Sequence, residues 1–122
     1  MKQENTILKK SFALAASSVI LSRKLQLTDK EFILSRQFMR SSTSIGAMVR
    51  EAQQGESKAD FIHKLSIALK EAKESEYWLE LLIATDILKE KEITDTSALL
   101  KDCINMLTAI IKTTKSGIKK SV

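Results

Sequence analysis

Apolar positions along this chain recur at alternating spacings of three and four, the rhythm of helices that bury one face, and nowhere at the strict alternation of half-buried strands. The pattern predicts helices over about 5–26, 29–55, 58–89 and 95–116, followed by a basic tail over 117–122. The second helix is expected to open at Thr28 with Glu31 three residues on, a spacing at which each side chain satisfies an orphan backbone N–H. It closes at Gly55. Ser57 and Asp60 repeat the device for the third helix, which then meets no breaker before about Lys89. The fourth starts near Thr94 or Asp95 and is expected to stop at Gly117 in a left-handed cap, with Lys112 and Lys115 against the negative end of its dipole. Helices of this size reach roughly 40 to 50 Å at about 1.5 Å per residue, which suits an extended bundle.

Two seams stand out. Leu34, Phe38, Ser41, Ile45, Met48 and Ala52 line the second helix, and Phe61, Leu65, Ala68, Ala72, Ser75, Leu79 and Leu82 line the third. The short joint between them predicts a tight antiparallel hairpin, because the Ala and Ser positions let the axes approach closely. The fourth helix, with Leu99, Leu100, Cys103, Ile104, Met106, Leu107, Ile110 and Ile111, offers a face wider than one seam needs. The first offers two edges: Leu8, Leu14, Ala15 and Leu21 on one side, and Phe12, Ala16, Val19 and Ile20 on the other. This surplus predicts self-association, since large exposed apolar patches usually mark interfaces. Adjacent Tyr77 and Trp78 point to different sides of the third helix; the ordinary reading is core for both, against one of them facing a partner.

Composition agrees with helices. The 122 residues make one domain, 1–122, with no proline and three glycines to punctuate it. One cysteine and one histidine exclude an internal disulfide and a closed Cys/His zinc site, and a reducing cytoplasm is the simplest compartment. The apolar run 11–21 is read as mature helix rather than a secretory signal, because Ser17 and Ser18 interrupt it and Glu4 sits among the preceding lysines. No stretch approaches the roughly 18 apolar residues of a membrane span.

Little here points to catalysis. A di-metal carboxylate site between four helices needs two Glu-x-x-His pairs, and Asp60 with His63 is the only similar pair. Cys103 lies on an apolar face where a thiolate is disfavoured, and no glycine-rich phosphate loop occurs. The expectation is a non-enzyme with no catalytic residue, cofactor or metal. Arg40, Ser44 and Glu51 lie along one edge of the second helix, and a hairpin centred near Glu56 brings Arg36 or Arg40 towards Glu76 or Ala72. Arg40, Ser44, Glu51 and Glu76 are therefore expected to form a polar network that fixes helix register, the alternative reading being a polar pocket or ligand site.

Charge is segregated behind a modest formal total of +5. Residues 1–50 hold nine Lys/Arg against three Asp/Glu, residues 51–111 hold seven against twelve, and 112–122 add four lysines and no acid. Such a molecule suits directional assembly or contact with phosphates. The nucleic-acid candidates are Arg23, Lys24, Arg36, Arg50, Lys112, Lys115, Lys119 and Lys120. No interleaving of aromatic with basic residues along the chain signals base stacking, so such contact is expected to be mainly electrostatic.

One stretch, 43–82, carries a resemblance. Arg40, Ser44-Ile45, Arg50-Glu51-Ala52, Glu56-Ser57-Lys58, Asp60-Phe61-Ile62, Leu65-Ser66-Ile67-Ala68 and Glu76-Tyr77-Trp78-Leu79-Glu80-Leu81-Leu82 resemble the bacterial four-helix-bundle proteins called the 23S rRNA intervening-sequence protein family, sometimes labelled a ribosomal protein family. The similarity extends more weakly from Ser11 to about Leu88, and the last helix matches only in pattern. The resemblance implies an all-α, left-handed antiparallel up-down-up-down four-helix bundle assembled into a homopentamer. Related proteins include the basic accessory factor of diversity-generating retroelements, which binds nucleic acid and a reverse transcriptase. The family commonly has Asn where this chain has Met48, which replaces a polar contact beside Ser44 and Glu51 with an apolar side chain. The expectation is thus a cytoplasmic homo-oligomer binding RNA or DNA through its basic surfaces; the alternative is a protein–protein assembly scaffold.

Overall fold

The computed structural model describes the backbone of residues 2–121 and the side chains of residues 6–117. It is all-α. Helices α1 (Lys2–Leu27), α2 (Ile33–Ala52), α3 (Lys58–Ala84) and α4 (Thr94–Ser121) are joined by short turns, with a single 3-10 turn at Glu90–Glu92 ahead of α4. Each helix packs on its chain neighbour, and α4 returns against α1 to close the bundle. Side-chain pairs fix the directions. Between α1 and α4, Lys10 meets Asp102 at 2.9 Å, Ser17 meets Thr96 at 2.6 Å and Lys24 meets Glu92 at 2.7 Å, so one number falls as the other rises. Ser41 against Ser75 and Glu51 against Lys64 give the same antiparallel relation for α2 and α3.

The hairpin seams pack as their spacing predicts. Phe38, Ser41, Ile45 and Ala52 of α2 are buried, as are Leu65, Ala68, Ala72, Ser75, Leu79 and Leu82 of α3, while Leu34, Met48 and Phe61 are partly buried against this core. The hydroxyls of Ser41 and Ser75 bond each other at 2.8 Å inside the seam, so neither is left unsatisfied. The joint between the helices is close enough to need Gly55: a Cβ there would lie 3.0 Å from the Ala52 carbonyl oxygen and 3.2 Å from the Phe61 nitrogen. Ser57 caps α3 by accepting the Asp60 N–H at 3.1 Å, and the Asp60 carboxylate accepts from the Glu56 N–H at 3.4 Å, one residue earlier than a reciprocal box would have it.

Several boundaries differ from the sequence expectation. Thr28 does not open α2, because its N–H donates to Lys24 and that of Asp29 to Leu25, so this turn closes off the end of α1. The chain reverses at Lys30 in the left-handed region, and Glu31 then acts as the cap: its carboxylate accepts from the N–H groups of Ile33, Leu34 and Ser35. Partial burial disfavours the Glu31 anion, but these bonds outweigh it and hold the carboxyl below its ordinary value. Helix α2 ends at Ala52, ahead of Gly55. Helix α3 stops at Ala84, five residues short of Lys89, where Asp86 takes a left-handed conformation that a short polar side chain tolerates and the N–H groups of Ile87 and Leu88 turn back to the Leu82 carbonyl. Gly117 is not a cap: its φ is not positive, and α4 runs on through it to Ser121.

The wide apolar face of α4 is absorbed within the bundle, with Leu100, Cys103, Ile104, Leu107, Ile110 and Ile111 all buried. The surplus lies on α1. Its core face is Ile7, Ser11, Leu14, Ser18, Leu21, Ser22 and Leu25, which leaves Phe12, Ala16 and Ile20 exposed.

Candidate nucleic-acid interface

Helix α1 approaches α2 closely. A Cβ on Gly46 would sit 3.4 Å from the Ser11 carbonyl oxygen, so the small residues Ser11 and Gly46 set the contact. This closeness lets side chains on the outer edges of the two helices meet across the crevice. The Arg50 guanidinium lies 5.3 Å from the centroid of the Phe12 ring, and Arg36 lies 5.7 Å from the Phe32 ring. Both rings are well exposed, Phe12 at 60% and Phe32 at 42%. Arg23 is exposed on the same outer side of α1 as Phe12, since eleven residues is close to a whole number of turns. Among the described residues, none of Arg23, Arg36 and Arg50 has a carboxylate partner.

Other cations are already engaged. Lys24 donates to Glu92 across the α1–α4 edge; this bond raises the lysine's pKa and lowers the acid's, so Lys24 leaves the set of open phosphate contacts. Lys112 and Lys115 are exposed on the last turns of α4, while the side chains of Lys119 and Lys120 lie outside the described residues.

The expected polar network assembles differently. Arg40 reaches Glu71 at 3.3 Å and also bonds Glu74, whose carboxylate accepts the Trp78 indole N–H at 3.0 Å. The Trp78 bond, opposed by partial burial and reinforced by Arg40, holds Glu74 below the ordinary carboxylate value. Glu76 is not a member. Ser75 points into the seam, so Glu76, about 100° further round the helix, faces α4 and lines a groove with Leu79, Glu80, Ile93 and Leu100. Ser44 donates to the Arg40 carbonyl on its own helix, and Glu51 pairs with Lys64 at 3.3 Å. Met48 packs partly buried against the core. Trp78 is half-buried and meets Tyr77 edge-on at 5.1 Å, whereas Tyr77 itself is exposed rather than core.

Burial pushes the Cys103 thiol up to about 12, with the Asp102 charge adding to the shift and Lys10 opposing it. His63 is exposed, and among the described residues no three His, Cys, Asp or Glu side chains are grouped so as to hold a metal ion. No helix among them is long and apolar enough to cross a membrane.

Aromatic and basic residues do not interleave along the sequence, yet packing sets Phe12 under Arg50 and Phe32 beside Arg36. The first pairing crosses between helices and leaves no local signal. The second joins residues four apart, Phe32 and Arg36, and is a local feature of the sequence.

Comparisons with known proteins bear on the whole chain. No curated protein matches it. A protein of unknown function from the S23 ribosomal protein family of Bacteroides thetaiotaomicron, solved by crystallography, is 45% identical, superposes with a TM-score of 0.88, and covers 90% of this chain and 98% of its own. The profile described as 23S rRNA-intervening sequence protein matches residues 3–109, which takes in all of α2 and α3 and most of α1 and α4. On that match and that identity, this four-helix chain belongs to the 23S rRNA-intervening sequence protein family.

Proposed function

We propose that the chain is a non-enzymatic, cytoplasmic homo-oligomer that binds RNA or another nucleic acid through the basic α1–α2 face, assisted by the lysines at the end of α4. The observation that supports this best is the grouping of three arginines that have no carboxylate partner among the described residues. Lys10, Lys24, Arg40 and Lys64 each have a carboxylate, whereas Arg23, Arg36 and Arg50 stand open together on one side. Unpaired cations on one face are what phosphate contact requires. A salt titration of RNA binding tests the reading. With three to five phosphates neutralised, the log–log slope is expected at about −2 to −4. Absence of binding at low salt, or affinity indifferent to salt, would sink it.

The exposed apolar residues Ile20, Leu27 and Ile33 favour a second reading, a scaffold for protein–protein assembly. It predicts that reversing Glu80, which has no ion pair among the described residues, breaks the oligomer while removal of Lys112 and Lys115 changes nothing. Glu71 and Glu74 are unsuited to this test because they hold Arg40 within the subunit. The homopentamer that the family resemblance implies is measured directly by light scattering.

A further inference from the structure

We infer that the α1–α2 face takes single-stranded nucleic acid, with unpaired bases stacking on Phe12 and Phe32. This deepens the nucleic-acid reading above and rests on it. Two exposed phenyl rings on a helical surface are costly to hydrate, and here each has a guanidinium rather than a carboxylate beside it. A ring offers a face to any base, and the adjacent Arg supplies a partner for the phosphate that follows it. The rings belong to one surface. Arg50, which covers Phe12, and Phe32 lie about five turns apart along α2, so they share an edge of that helix.

Their separation also matters. Ser11 packs beside Gly46, so Phe12 sits about one turn before Arg50 along α2, and Phe32 lies just beyond the level at which Gln26 of α1 bonds Ser35 at 3.1 Å. The rings are therefore roughly 20 Å apart along the bundle at about 1.5 Å per residue. Arg23 and Arg36 are exposed within or beside that interval. An extended strand crosses it in a few nucleotides, presenting bases at both ends and phosphates between them. A duplex cannot do this, because its bases are stacked on one another and a straight bundle edge meets only its backbone.

The test compares binding of a labelled 12-nucleotide oligoadenylate and a 12-base-pair RNA duplex by fluorescence anisotropy, for the full chain and for the double variant Phe12→Leu, Phe32→Leu. Leucine keeps the charge and the apolar character of an exposed site, so folding is preserved and is checked by circular dichroism. The expected result is tighter binding of the single strand by the unaltered chain. In the variant, single-strand affinity falls at least tenfold, duplex affinity stays within twofold and the salt slope is unchanged, as expected when two stacking platforms are lost. Equal single-strand affinity in variant and parent, or duplex preference in the parent, with a steep salt slope retained, overturns this inference and leaves the electrostatic reading standing. No binding of either probe at low salt overturns both. A lower oligomer mass in the variant, measured by light scattering, assigns the face to subunit contact and overturns the stacking role.

Discussion

Replacing Arg40 with Gln removes the guanidinium that bridges Glu71 and Glu74 while keeping a polar side chain on α2. The clamp is half in water: the Arg40 side chain is 50% exposed, against 15% for Glu71 and 33% for Glu74. Exposed pairs contribute about 0.2 to 1 kcal/mol each once solvent screening and side-chain ordering are counted, so two contacts give about 1 kcal/mol, with an upper bound near 2. Glu74 keeps the Trp78 indole N–H, which limits the damage. For a urea m value of about 2 kcal/mol/M, the midpoint should fall by about 0.5 M with m unchanged. The same variant should leave RNA affinity nearly untouched, because Arg40 is already neutralised. Arg36→Gln and Arg50→Gln should do the reverse, weakening RNA binding with little change in urea midpoint. An unchanged midpoint in Arg40→Gln, or a loss of RNA affinity equal to that of Arg36→Gln, would refute the division between register-setting and phosphate-facing cations.

Other consequences are equally direct. The Glu31 carboxyl is held low in the fold, so its stabilisation is present above the ordinary carboxylate value and is lost as pH falls through the depressed folded value; Glu31→Gln should lower the melting temperature at neutral pH and lessen the difference between pH 7 and pH 3. Ser18 carries a fully buried hydroxyl with no partner among the described residues, and Ser18→Ala should raise stability by about 1 kcal/mol in urea unfolding, whereas a loss of that size would mean the hydroxyl is satisfied. Cys103, buried with its thiol pushed up to about 12, should react with a thiol reagent at pH 8 no faster than the chain unfolds; rapid labelling of the native protein would contradict that burial.

What the sequence made legible were features set by local pattern. The α2 and α3 seams followed from spacing alone, because every position that recurs at three and four residues falls on one face. Ser57 was visible as a cap because nothing competes for it. Thr28 was equally plausible, but α1 claims that turn for its own end, and two helices competing for one segment cannot be resolved from either side. The stop at Asp86 was hidden because aspartate enters the left-handed region without the signal that glycine would give. Helix register was nearly right, as the Ser41 to Ser75 pair attests, yet Arg40 found Glu71 and Glu74 instead of Glu76. A register fixes height along the axis; which side of the helix a residue faces is a separate matter, and one step in sequence turns it by about 100°. Tertiary neighbours such as Phe12 and Arg50 belong to neither kind of information.

The central claim is that three open arginines on α1 and α2 make a phosphate-binding face. Its most direct measurement is the salt dependence of RNA affinity for the unaltered chain beside the triple variant Arg23→Gln, Arg36→Gln, Arg50→Gln. The account predicts that the variant's log–log slope is shallower by about 2 to 3 and its low-salt affinity correspondingly weaker, at unchanged helicity and oligomer mass. Identical slopes and affinities in the two proteins would contradict it.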